Sequence, residues 1–158
     1  NIIPSGNKNL GSASNSWVTA YATTFSGTAT TARYADLAEN YLADGEYEAG
    51  TVIALGGTAE VTATVTMKDH RVAGIVSTNP AHLMNSHLEG EHVVAVALTG
   101  RVPCKVIGKV AKGDMLVSSN VPGYAMVDND PKLGTMIGKA IEDKVDDGKG
   151  VVEVLVGK

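Results

Sequence analysis

The sequence holds a single cysteine, at position 104 of 158 residues, which excludes a disulfide framework within the chain. Cys104 stands in the apolar run Arg101-Val-Pro-Cys-Lys-Val-Ile107, the setting of a small buried thiol rather than of a nucleophile or ligand. A basic excess is missing too: 13 basic against 17 acidic residues leave a net charge of −4, with no run of either sign. Nucleic-acid binding draws on a basic face, so DNA and RNA are not expected as partners. No apolar stretch nears the ~20 residues of a bilayer span, and membrane insertion is not expected. No basic-then-apolar leader opens the chain, and a start at Asn1 without methionine suggests a fragment or a processed product. Gly-x-Ser-x-Gly, Walker and dinucleotide fingerprints are absent, so no cofactor is expected.

What is present describes β structure. There are 18 glycines among frequent Val, Thr and Ala, and few long amphipathic stretches. Runs at 51–55, 60–65, 72–77, 93–99, 102–107, 115–118, 135–140 and 151–156 predict short strands. Turn signals separate them at Gly56-Gly57, Thr99-Gly100, Gly113-Asp114, Pro122-Gly123 and the acidic turn 146–150. The fold class expected is mainly β: a short N-terminal stalk strand and helical turn, followed by a compact β-barrel or sandwich. A chain of this size can bury roughly two-thirds of its unfolded surface and needs no metal or crosslink. The runs 93–98 and 151–156 are apolar on nearly every residue, so both faces of those strands need cover from a second layer or a neighbouring subunit.

The first 41 residues differ from the rest. They hold Trp17, Tyr21, Phe25, Tyr34 and Tyr41, five of the seven aromatic side chains, in a background of Ser, Thr, Gly, Asn and Ala. Trp17-Val-Thr-Ala-Tyr-Ala-Thr-Thr-Phe25 alternates by two and predicts a strand with one aromatic face. Each large aromatic brings on the order of 150 Å² or more to be covered, which one strand cannot do alone. In the stretch 28–41, Tyr34, Leu37 and Ala38 recur at i, i+3, i+4 and predict one short helix acting as a joint. The division expected is residues 1–41 as a stalk end and residues 42–158 as a C-terminal β domain. Trp17, Tyr21, Phe25, Tyr34, Leu37 and Tyr41 are the expected contacts of a homotrimer.

The segments Leu10-Gly-Ser-Ala-Ser-Asn-Ser-Trp17, Tyr21-Ala-Thr-Thr-Phe-Ser-Gly-Thr-Ala-Thr30 and Tyr34-Ala-Asp-Leu-Ala-Glu-Asn-Tyr41 resemble the distal part of bacteriophage tail-fibre and tail-spike proteins. Downstream, Arg71-Val-Ala-Gly-Ile-Val-Ser-Thr-Asn-Pro80, Val96-Ala-Leu-Thr-Gly-Arg-Val-Pro103, Gly113-Asp-Met-Leu-Val117 and Val121-Pro-Gly-Tyr-Ala-Met126 resemble the terminal β domain of such fibres. That domain is in turn similar to autoproteolytic, intramolecular-chaperone domains of phage appendages, through Tyr34-Ala-Asp-x-x-Glu39, the Gly-Ile-Val-Ser segment ending at Ser77, and Leu98-Thr-Gly-Arg-Val102. The resemblance implies a structural virion protein, made in the host cytoplasm. Its partners would be two further copies of itself, an upstream fibre shaft and a host cell-surface receptor. Two alternatives are an autoproteolytic chaperone that templates fibre assembly and a capsid decoration protein, the latter without an aromatic stalk strand.

Candidate chemistry is sparse. Asp36 and Glu39, three apart on the expected helix, would share a face and could activate a nucleophile or strain a peptide bond, against the reading of a solvated helix face. Lys112 with Ser118 and Ser119 could suggest a Ser–Lys pair, yet serines before Asn120-Val-Pro-Gly123 fit a strand end entering a turn. His70, His82, His87 and His92 match no common zinc spacing, and the last three fit a polar loop over 79–91. No metal is expected. Receptor contact is assigned to loops such as 79–91 or 128–132, since Tyr47 and Tyr124 alone make a thin sugar platform outside the N-terminal region.

Overall fold

The computed structural model describes residues 36–157, together with residues 12, 14 and 15. The chain divides into two units, Asn1–Thr31 and Ala32–Lys158. Within the first, Ser12 and Asn15 exchange backbone hydrogen bonds of 2.9 and 3.2 Å that close a small turn. The aromatic strand around Trp17, Tyr21 and Phe25, and Tyr34, lie outside the described residues.

The second unit is built of strands alone among the described residues. They are β1 (Asp36–Leu42), β2 (Val52–Leu55), β3 (Val61–Ala63), β4 (Val72–Val76), β5 (His82–Met84), β6 (Val93–Ile107), β7 (Met115–Ser118), β8 (Ala125–Val127), β9 (Met136–Ala140) and β10 (Lys149–Val156). The mainly β expectation stands. Two local expectations do not. The helix expected to end at Tyr41 is instead, over Asp36–Leu42, a strand pairing antiparallel with Val93–Gly100 of β6. The Thr99-Gly100 turn is not a turn: β6 runs through it as one strand of 15 residues.

β6 organises the domain. Its C-terminal half pairs with β10 from Arg101↔Leu155 to Ile107↔Lys149, and the path β10–β9–β7–β8–β6 then closes on itself as a five-stranded barrel. Its N-terminal half pairs with β1 and β4, and the path β1–β6–β4–β2–β3 curls back until Ala43, just past β1, bridges Val61 of β3. Gly100, at φ +108°, is where the partner changes: Asp36 of β1 and Val156 of β10 both register against it. A glycine takes that backbone angle without steric cost, so the strand can redirect without ending.

Two apolar cores follow from the two closures. Cys104, Val106, Leu116, Ile137, Val152 and Val154 belong to the larger cluster, to which Val52, Val72 and Ile75 also contribute from β2 and β4. Ile53, Val61, Val76, Val94 and Val96 form the smaller cluster, with Tyr41, Tyr47 and Leu98 packed at its margin. Burying a Val, Leu or Ile side chain stabilises by about 1.5–3 kcal/mol, so both clusters contribute substantially although neither holds a fully buried aromatic. Gly74 and Gly138 let neighbouring strands approach: an added Cβ would meet the Ala97 carbonyl in one case and the Leu155 carbonyl in the other.

Candidate functional site

The strand at 36–42 decides the fate of the carboxylate pair. Side chains alternate along a strand, so Asp36 and Ala38 share one face, while Leu37, Glu39 and Tyr41 share the other. Asp36 and Glu39 are therefore not the same-face pair a helix would make. Asp36 is 6 % exposed, and its Oδ2 has no hydrogen-bond partner among the described residues. The Asp36 backbone carbonyl accepts a 2.9 Å bond from the Ala81 amide, fixing the strand beside β5. Glu39 is engaged elsewhere: its Oε2 accepts a 2.7 Å hydrogen bond from the Tyr41 hydroxyl. Burial first, then that bond and the nearby Glu39 and Glu60 charges, push the Tyr41 phenol up to about 12. Leu37 and Tyr41 are half-buried on β1, and Tyr41 packs against the smaller core of its own chain.

The serines are structural. Ser118 is fully buried, its Oγ donating to the Thr66 carbonyl and accepting from the Asp69 amide, both at 2.8 Å. Ser119 Oγ donates to the Tyr124 carbonyl at 2.8 Å and accepts from the Val121 amide at 3.1 Å, bracing the turn after β7. Lys112 is exposed, and no Ser–Lys contact forms. Cys104 is fully buried, and burial pushes its thiol far above the ordinary range, so it remains protonated and unreactive while the barrel is folded.

The histidines lie apart. His82 opens β5, which pairs parallel with β1 through Leu37↔His82, so the stretch expected as a plain loop contains a strand. His92 Nε2 lies 4.0 Å from Glu91 Oε1. Among the described residues no group of three or more His, Cys, Asp or Glu side chains converges as metal ligands.

Surface concavities cluster at the smaller ring. A depression of about 540 Å³ lies between Leu42–Asp44, Thr58–Ala59 and Glu89–His92, and one of about 530 Å³ beside it shares Glu91 and His92 and reaches Tyr47 and Val94. Asp44, Glu46, Glu89 and Glu91 are exposed around them. The Tyr47 hydroxyl donates to Asp44 and holds its carboxyl below the usual range. An apolar depression of about 190 Å³ sits among Pro131, Lys132, Leu133 and Met136, next to the loop carrying Asp128, which pairs with Lys68 at 2.7 Å. Among the described residues the buried serines brace turns, and none of them contacts a lysine or histidine.

No protein-family model and no curated protein matches the sequence. A solved structure does: the crystal structure of the C-terminal fragment of bacteriophage phi29 gene product 12 aligns with a TM-score of 0.57. The likeness is one of fold. Identity over the alignment is 14 %, and the match covers 77 % of this chain and 100 % of that fragment. The β domain described here is thus an architecture found at the C-terminal end of a phage protein.

Proposed function

We propose that the chain is a structural component of a bacteriophage tail fibre or tail spike, a trimerising distal domain. In the virion it would register three chains at the end of an upstream shaft and bring exposed loops to a host-surface receptor. The observation that carries this reading is the fold likeness spanning the whole of the phi29 fragment. It is supported by the lack of an assembled catalytic group among the described residues and by large apolar side chains left more than half exposed, such as Val151 and Leu155. Multi-angle light scattering on the full chain tests it. Three times the 16.3 kDa chain mass is expected, and a monomer at micromolar concentration would overturn the reading.

One observation favours autoproteolysis as a second reading. Asp36 buries a carboxylate oxygen without a partner among the described residues, an expensive arrangement that sites of chemistry tolerate more often than scaffolds do. Intact mass of freshly made protein against Asp36→Ala separates the readings: a truncated species lost in the variant would establish cleavage, and identical intact masses would remove it.

A further inference from the structure

Charge is divided between the two halves of the domain. Residues 36–100 carry nine carboxylates and two Lys or Arg, whereas residues 101–157 carry eight of each. The exposed carboxylates Asp44, Glu46 and Glu89 make no ion pair among the described residues, and Glu91 reaches only His92. They rim the two depressions at the start of β6.

The second half of β6 shows a more basic surface, interrupted by Glu153 and with Lys105 paired to Glu48 at 2.9 Å. Cross-strand partners share a face, so Arg101↔Leu155, Pro103↔Glu153 and Lys105↔Val151 set these six side chains together on the outside of the barrel, with Lys139↔Leu155 extending the row onto β9. The inner face is filled by Val102, Cys104, Val152 and Val154. On the outer face Val151 and Leu155 are 58 % and 53 % exposed. Arg101, Lys139 and Lys149 flank them without an ion pair among the described residues, although Lys149 lies 4.8 Å over the Tyr124 ring.

We infer that the outer β10–β6 face of one copy docks on the acidic rim around Glu91 of a second copy, closing the trimer head to tail. The inference rests on the trimer reading above and names its interface. Two features of the molecule fit this occupant. Unpaired cations beside an apolar stripe meet unpaired carboxylates beside the half-buried Leu42, Tyr47 and Val93, so charge and apolar surface both find complements. Within the chain, Glu48 reaches this face and pairs with Lys105 at 2.9 Å, while Arg101, Lys139 and Lys149 are left without an ion pair among the described residues. Different patches in mutual contact make a heterologous interface, which closes as a ring where its rotation is three-fold, whereas a two-fold dimer would need one self-complementary patch.

The test is light scattering on the full chain with Glu91→Arg, Arg101→Glu and the double variant, circular dichroism verifying the fold. Each single reversal should lower the trimer fraction at least tenfold at micromolar concentration, and the double reversal should restore most of it. Leu155→Asp should yield monomer whatever the salt. Trimers indifferent to all of these changes, or a double variant no better than the singles, would overturn the interface while leaving the trimer standing. A monomeric wild type would instead bring down the functional reading itself. Loss of retention on an anionic polysaccharide column in Arg101→Glu, with the trimer intact, would give the face to another partner and overturn the inference.

Discussion

Lys144 offers the sharpest test of what holds the barrel closed. Its side chain is 8 % exposed, and its Nζ lies 2.7 Å from the Asp146 carbonyl, 2.8 Å from Asp146 Oδ1, 2.7 Å from the Gly148 carbonyl and 3.1 Å from the Gly108 carbonyl. One ammonium thus ties the 146–148 turn to the end of β6. Lys144→Met keeps the stem and removes the donors. Hydrogen bonds to a charged group contribute about 1.5–3 kcal/mol each when buried, but water can reach the 66 % exposed Asp146 carboxylate and replace part of the loss, so a total of about 2–3 kcal/mol is expected. For a domain of this size that lowers Tm by about 6–12 °C in a calorimetric or circular-dichroism melt. Lys109→Met is the control. Lys109 meets Asp147 at 3.6 Å with both side chains largely exposed, and its loss should cost less than about 0.5 kcal/mol. Lys144 holds the Asp146 carboxyl below the usual range, so that part of the stabilisation is complete above the unfolded pKa near 4 and fades as pH falls through the lower folded value. The gap between wild type and Lys144→Met should therefore narrow below about pH 4. A Lys144→Met melt no lower than that of Lys109→Met, or a gap that widens in acid, would refute the reasoning.

Two further outcomes follow from the close approaches and the buried thiol. Gly138→Ala should cost about 2–4 kcal/mol in urea unfolding, because the new Cβ meets the Leu155 carbonyl across the β9–β10 seam, whereas Gly108→Ala, with open space around it but φ at +86°, should cost only about 1 kcal/mol. A smaller loss at Gly138 than at Gly108 would contradict the packing described. Cys104 should resist iodoacetamide in the native state and be alkylated at a rate that rises with urea in step with unfolding, as read by intact mass; rapid native labelling would show the barrel core to be open.

The larger architecture was legible in the sequence because strand runs and turn residues recur at regular spacing: of the ten described strands, five lie within expected runs, β10 extends one, and β6 joins two. The other three lie outside them. β5 and β8 have three residues each and too little apolar alternation to stand out. β1 was misread for a clearer reason: Ala, Leu and Glu are good helix formers, and Leu37 and Ala38 fall on one helical face with Tyr34. Seven residues of pairing with Val93–Gly100 outweigh a local preference of a few tenths of a kcal/mol per residue. The change from helix to strand alters the chemistry directly. Asp36 and Glu39 were paired only by the helix, and a change of period from 3.6 to 2 separates them. Likewise Thr99-Gly100 has the residues of a turn, yet Gly100 uses its freedom to let one strand serve two closures.

The doubly apolar runs carry the most information about assembly. In 93–98 both faces are covered by the chain itself, with Ala97 in the larger core and Val94 and Val96 in the smaller one. In 151–156 the same pattern has a different outcome: Val152, Val154 and Val156 are at most 2 % exposed, while Val151 and Leu155 remain more than half exposed on the other face. Periodicity shows that a strand is apolar on both sides but not which side the chain covers. That depends on the smaller ring, closed through the single Ala43–Val61 bridge, lying over the first half of β6 and stopping at Gly100. Beyond Gly100 the described residues fill the inside of the barrel but leave Val151 and Leu155 more than half exposed on the outside, where Lys105 pairs with Glu48 and Arg101, Lys139 and Lys149 make no ion pair among the described residues. Among the described residues, the outer face of β10 thus lacks the cover its sequence demands, and Arg101, Lys139 and Lys149 stand beside it.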